Sequence, residues 1–219
     1  WDLAEAHHCD LIGGDTTRGP LNICITVLGE VPAHLALLRS GAKVGDDVYV
    51  SGHLGDARLA LEVFRGRLTV PQNVFEQARL RMEMPTPRLA LGQALRGIAT
   101  AAADISDGLL GDLQHILKAS HVGADIDTAM VVSTLASGFM CNLPLATQRM
   151  LTLSGGDDYE LVFTAPEHAR ADIAGLSVST HTPITRIGKL NDSQQLRLLD
   201  SEGHEMRNEF ESFDHFRSD

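Results

Sequence analysis

An α+β fold with a mixed sheet is what this sequence predicts, on three observations. Short β-branched runs alternate with amphipathic helical stretches. They interleave without a regular βαβ period, which argues against a doubly wound parallel sheet. With 219 residues, 43% of them hydrophobic, the chain is long enough for one or two domains around a sizeable core.

The elements follow in order. Residues 2–9, rich in Ala and Glu, read as the end of a helix. Leu11 and Ile12 lead into a polar loop, Gly13-Gly14-Asp15-Thr16-Thr17-Arg18-Gly19-Pro20. Residues 21–29 (LNICITVLG) are apolar and β-branched and read as a strand. A turn-rich stretch from Arg39 to Asp46 precedes a short strand at 48–50. Amphipathic helices are expected at 55–66 and 73–84, and Pro85 and Pro87 separate the second from a third at 88–97. Residues 100–105 (TAAADI) read as a short buried strand. The stretch 107–118 is helical, because Leu109, Leu110, Leu113, Ile116 and Leu117 recur on one face. Further strands are expected at 124–127, 159–163, 184–190 and 196–199, and helices at 143–151 and 167–174. A domain boundary is expected within residues 31–38.

Composition excludes several classes. No run of 18 apolar residues exists, so no membrane span is expected. No basic segment precedes an apolar one at the front, so no secretion signal is read. The absence of an initiator Met suggests a fragment. Cys9, Cys24 and Cys141 are odd in number and far apart, which argues against a disulfide scaffold or structural zinc site and for a reducing cytoplasm. The net charge of -11 disfavours a nucleic-acid backbone binder.

Three loops share one grammar of Gly and Asp at the edge of an apolar element: Gly13-Gly14-Asp15, Asp104-Ile105-Ser106-Asp107-Gly108 and Ser154-Gly155-Gly156-Asp157-Asp158. Paired glycines let backbone N–H groups approach a ligand, and aspartates are hard oxygen ligands for Mg²⁺. The combination suits a metal-bound polyphosphate. In a strand Asp104 and Ser106 share a face. Asp107 would open the next helix, where it reads either as an N-cap or as a cation ligand. Asp15 and the Asp157–Asp158 pair read equally as solvated turn residues. No P-loop or Rossmann glycine pattern occurs, and no G-x-S-x-G. Arg18 and Arg39 lie in Gly-flanked loops and suit phosphate contact.

In combination the motifs resemble the thiamine-monophosphate kinase family. LIGGDTTRGP at 11–20, RSGAKVGDDVYVSG at 39–52, ISDGL at 105–109, LSGGDDYEL at 153–161 and the closing Phe213-Asp214-His215-Phe216 stand in that family's order. The resemblance implies the fold of the aminoimidazole ribonucleotide synthetase-like C-terminal domain at residues 33–219. Residues 1–32 would be a remnant of an N-terminal ATP-binding domain. It implies ATP-dependent phosphorylation of thiamine phosphate to thiamine diphosphate, with several Mg²⁺ ions, by direct in-line transfer and with no catalytic nucleophile. Gly14, Asp15, Arg39 and Ser106 would contact ATP; Asp15, Asp104 and Asp107 would hold Mg²⁺; Asp157 and Phe213 would meet thiamine phosphate. The sequence has Gly-Gly-Asp where the family commonly has Gly-Gly-Glu, and Phe213 where some members have Tyr. The family's earlier motifs (Gly-Asp-Asp, Thr-Asp with a nearby His, and Asn-Leu-Ser-Asp) are absent, so this chain is expected to fold without catalysing alone. A homodimer is implied for the full-length enzyme, and neither nucleic acid nor membrane is an expected partner. The alternatives are another ATP-dependent synthetase of the same superfamily and a non-catalytic assembly domain.

Overall fold

The computed structural model describes residues 2–210, and the chain divides into two units, Trp1–Ala36 and Leu37–Asp219. In the first unit α1 spans Asp2–Ala6. The strand predicted at 21–29 is not formed: Leu21, Ile23, Ile25, Val27 and Leu28 are all exposed in irregular backbone. A strand satisfies its N–H and C=O groups only through a neighbouring strand. The first unit offers none among its described residues.

In the second unit seven strands form one sheet: β1 Asp47–Ser51, β2 Ala101–Ile105, β3 Gly123–Asp127, β4 Glu160–Ala165, β5 Ile184–Asn191, β6 Leu196–Leu199 and β7 Glu205–Met206. Their order is β2-β4-β1-β5-β3-β6-β7. Every neighbouring pair is antiparallel except β3 with β6, so the sheet is mixed, as the sequence predicts. The helices are α2 Asp56–Phe64, α3 Gln72–Glu83, α4 Leu89–Ala94, α5 Leu109–Ser120, α6 Thr128–Val132, α7 Leu145–Ser154 and α8 Arg170–Ser179.

β1 is central and buried along its whole length. Its side chains alternate between two cores. Val48 and Val50 join Ala101, Ala103, Ile105 and Val162 under the apolar stripe of α5, where Leu109, Leu113 and Ile116 are fully buried. Tyr49 and Phe163 lie on the opposite face with Leu91 and Leu95 of the α4 region and Ile173 of α8. A third cluster packs α2, α3 and α7 together through Leu59, Ala60, Ala78 and Leu151. No helix of the described residues is long and apolar enough to cross a membrane.

Beyond the sequence reading lie α6, a 3₁₀ turn at Ala136–Phe139 and the two-residue β7. The start of α6 was nonetheless written locally. Asp127 ends β3 and then caps α6, its carboxylate accepting the N–H groups of Ala129 and Met130 at 2.9 and 3.2 Å.

Tyr49 and Phe163 face each other directly across β1 and β4, with rings stacked 5.2 Å apart. Phe163→Ala should therefore lower unfolding stability by about 3–5 kcal/mol through lost burial and a cavity. Urea unfolding of the 219-residue chain checks this. A loss below ~1 kcal/mol would show that this face of the sheet is not tightly packed.

Candidate active site

β2 and β4 pair in antiparallel register from Ala101↔Thr164 to Ile105↔Glu160. That pairing brings the C-terminal end of β2 beside the N-terminal end of β4. The loop leaving β2 (Ser106-Asp107-Gly108) therefore meets the loop entering β4 (Gly155-Gly156-Asp157-Asp158-Tyr159). Two hydrogen bonds carry the contact past the end of the sheet. The N–H of Asp157 donates to the Ser106 carbonyl, and that of Tyr159 to the Ile105 carbonyl, each at 2.9 Å.

Gly108, Gly155 and Gly156 are also required by close approach to protein backbone. A Cβ on Gly155 would lie 2.1 Å from the Leu151 carbonyl oxygen and 2.8 Å from Cβ of Arg58. One on Gly156 would lie 2.6 Å from the Ser106 carbonyl oxygen. Gly108, at φ +117°, lies against the Ser154 carbonyl. Asp157 and Tyr159 adopt φ of 67° and 50°, a left-handed conformation disfavoured for residues with side chains. Such strain concentrates at functional sites.

The first turn of α5 differs from expectation too. Its N-cap is Gly108, not Asp107, and the helix starts at Leu109. Asp112, on that turn, turns its buried carboxylate back to accept the N–H groups of Ser106 and Asp107, at 2.9 and 3.1 Å. Burial raises the Asp112 pKa, and these two N–H bonds oppose the rise. The loop is thus held from behind while Asp104 and Asp157 remain exposed.

Two further acids anchor the second loop. Glu160 is buried and accepts Ser51 Oγ at 2.6 Å and Arg88 Nε at 2.7 Å, with Arg88 Nη2 on its other oxygen. Asp158 sits at the N-terminus of α2 and accepts the Gly55 N–H at 2.8 Å. Burial pushes the Asp158 carboxyl well above the usual range; the Gly55 bond opposes that, and the nearby Asp56 and Glu160 add to it. Tyr159 is raised as well, by burial first and then by Asp157, Asp107 and Asp104, so these three acids share one field.

A cleft of about 480 Å³ opens over these loops, lined by Ser106, Asp107, Gly156, Asp157 and Tyr159 of the loops, by Arg58 and Leu61 of α2 and by Arg65 just after its end. The structure brings together Ser106, Asp107 and Asp157, with Asp104 close by. It does not bring Arg39 to them. The Arg39 carbonyl accepts Ser120 Oγ at the C-terminal end of α5, and Ser106 lies beyond its N-terminal end. Twelve helical residues, about 18 Å, separate the two. Gly14 and Asp15 belong to the first unit, where the exposed Asp15 carboxylate accepts the Thr16 N–H at 2.8 Å. Phe213 lies outside the described residues. Arg58 and Arg65 were missed, although seven-residue spacing on an amphipathic helix puts both on one face.

No three His, Cys, Asp or Glu side chains among the described residues are gathered round one point. Mg²⁺ needs less than that from a protein: one or two carboxylates suffice when phosphate oxygens and water complete its octahedron. The exposed Asp104 beside the Asp107 loop fits an ion that arrives with a nucleotide.

This fold with its two facing loops defines a class: residues 43–201 match the family described as AIR synthase related protein, C-terminal domain. Within that class, the chain belongs to the thiamine-monophosphate kinase family. It is 40% identical over 216 residues to the thiamine-monophosphate kinase of Salmonella typhimurium, covering 98% of this chain and 66% of that protein. The crystal structure of thiamine-monophosphate kinase from Stenotrophomonas maltophilia K279a superposes with a TM-score of 0.81 at 40% identity, over 94% of this chain and 65% of that one. AaThiL complexed with AMPPCP and TMP matches with a TM-score of 0.63 at 27% identity, over 82% of this chain and 54% of that one. The chain thus spans just under two thirds of the length of the first two relatives.

Asp158 yields a pH prediction. Its folded pKa lies above its unfolded value, so the unfolded chain ionises first as pH rises. Its contribution is therefore most favourable below the unfolded pKa and is lost as pH climbs to the folded one. Asp158→Asn cannot ionise and keeps an acceptor for Gly55. Its stability relative to wild type should rise as pH climbs above about 4. A difference independent of pH, measured by urea unfolding, would contradict the shift.

Proposed function

We propose that the complete protein transfers the γ-phosphoryl group of ATP to thiamine phosphate, giving thiamine diphosphate. The observation that carries this reading is the hydrogen-bonded pair of acidic loops lining one cleft. Relatives described as thiamine-monophosphate kinases support it, as does the likeness to a structure complexed with AMPPCP and TMP.

Both reactants are anions, so their mutual repulsion is a principal obstacle, and positioning with electrostatic neutralisation carries most of the catalysis. Ser106 would hold a phosphate of ATP at the end of β2. Asp104 and Asp107 would hold Mg²⁺ on one side of the cleft, and Asp15, in the first unit, is a separate candidate Mg²⁺ ligand. The ion, when bound, would supply positive charge between the two phosphates. Asp157 would face the thiamine end, with Phe213 against its rings. Gly14 would add a backbone contact to ATP. Arg39 would reach ATP only at a part remote from Ser106, given the length of α5 between them. No side-chain nucleophile is required: the acceptor is itself a phosphate oxygen. Residues 1–32 would be the closing part of an ATP-binding domain, and residues 33–219 the C-terminal domain. The working enzyme would be a cytoplasmic homodimer.

The test is mass spectrometry of the product formed by the complete gene product from ATP and thiamine phosphate. Thiamine diphosphate and ADP in equal amounts are expected. Asp104→Asn should cut kcat by about 100-fold or more, on the scale of one lost charge-stabilising contact, while the far-ultraviolet circular dichroism stays native. Near-normal turnover at saturating Mg²⁺ would remove Asp104 from the site.

A further inference from the structure

The acidic loops account for only half of the cleft. Its other wall is α2, and there the charge has the opposite sign. Arg58 and Arg65 both line the cavity, with Leu61 between them. Their seven-residue spacing stacks them two turns apart on one helical face, and Glu62 lies within reach of each. Glu62 is buried, with its side chain 5% exposed. Its Oε1 sits 2.8 Å from Arg58 Nε, 3.7 Å from Arg65 Nη1 and 3.6 Å from Arg67 Nη1. One carboxylate therefore faces three guanidinium groups and leaves the cluster with excess positive charge, in a chain whose net charge is -11. Only Nε of Arg58 is engaged by Glu62, so the terminal nitrogens that form a guanidinium fork are left over.

We infer that Arg58 and Arg65 are the residues that recognise the acceptor's phosphate, and that they make the cleft selective for a phosphorylated acceptor over its unphosphorylated form. This assignment rests on the proposed function and deepens it. The cleft is dipolar. Asp157 and the half-exposed ring of Tyr159 line it from the loop entering β4, and Arg58 and Arg65 line it from α2 and the residue after its end. A ligand that carries a cation at one end and a phosphate at the other is matched at both ends. Thiamine phosphate is such a molecule: its thiazolium ring is cationic, and cations are attracted to carboxylates and to aromatic faces. A nucleotide polyphosphate, held in the proposed function through Ser106 and bound metal, has no cationic end to offer Asp157. Arginine suits the phosphate end, because its planar fork pairs with two phosphate oxygens at once. Leu61 supplies apolar surface between the poles.

The wall is also positioned by the acidic loops. Arg58 Cβ lies against Gly155, where an added Cβ would come within 2.8 Å of it, and Asp158 grips the start of α2 through Gly55. The arginines thus share a frame with the loop that would hold the cationic end.

Arg65 is the cleaner residue to change, because it is 45% exposed and only 3.7 Å from Glu62 at closest. The experiment uses the complete gene product and measures binding of thiamine phosphate and of thiamine by calorimetry, with KM for ATP and urea unfolding alongside. Wild type should bind thiamine phosphate more tightly than thiamine. Arg65→Ala should weaken thiamine phosphate by about tenfold or more while leaving thiamine and the KM for ATP within about twofold. Arg65→Lys should recover part of the loss, since a lysine keeps the charge but not the fork. Arg58→Ala should act in the same direction. Equal weakening of both compounds, an effect on ATP instead, or no change in discrimination would overturn the assignment. A wild type that makes thiamine diphosphate while Arg65→Ala keeps full discrimination overturns this assignment alone. A wild type that binds neither compound and forms no product overturns the proposed function, and this assignment with it.

Discussion

The N–H groups of Asp157 and Tyr159 donate to the carbonyls of Ser106 and Ile105 just beyond the point where β2 and β4 stop pairing. The rest of the site is built outward from that contact. It requires two loops to run backbone against backbone, and at Gly108, Gly155 and Gly156 a single added methyl would collide with a neighbouring carbonyl. Once the loops are joined, the acidic residues of two segments about fifty positions apart in sequence come onto one cleft. The sheet core beneath, with Val162 and Ile105 fully buried, holds the two strands in the register that makes the contact possible.

Gathering acids in this way raises their mutual repulsion, and the fold answers at the positions where charge is buried. Glu160 is met by Arg88 and Ser51. Asp112 is met by two loop N–H groups, and Asp158 by the N–H of Gly55, which caps α2. Each of these acids is a structural tie: it spends its acceptors on holding a loop or a helix end. Asp104 and Asp157 are exposed instead. The division between engaged acids, buried or partly so, and exposed ones runs inside motifs where Asp157 and Asp158 stand side by side.

Much of the fold was legible in the sequence because its signals are local. The leucine stripe of α5 and the apolar run of β4 lie within the spacing that makes a helix or strand, and both are found there. The failures have physical reasons. Residues 21–29 carry a strand's composition, yet strand formation depends on a partner, and sequence pattern cannot supply one. Asp107 looks like an N-cap by position, but the chain turns through Gly108 before α5 begins, and Asp112 ties that turn from inside the helix. The packing role of Gly155 and Gly156 was not legible, because the Leu151 and Ser106 carbonyls that crowd them come from elsewhere in the chain. Of the site, Ser106, Asp107 and Asp157 could be named from motifs and do converge. Arg58 and Arg65 were hidden because a helix face becomes a wall only when a loop distant in sequence closes against it. Arg39 shows the converse, a motif residue that the fold carries to the far end of α5.

The central claim is that function depends on the two loops being locked together, beyond what stability alone requires. Gly156→Ala in the complete protein tests it most directly, because the added Cβ would lie 2.6 Å from the Ser106 carbonyl and must push the loops apart. The measurement is kcat/KM for both substrates, at a temperature where unfolding curves show the variant fully folded. The account predicts a fall of about tenfold or more for each, since small misplacements of reacting groups are costly. A folded Gly156→Ala protein with wild-type kcat/KM for both would contradict it.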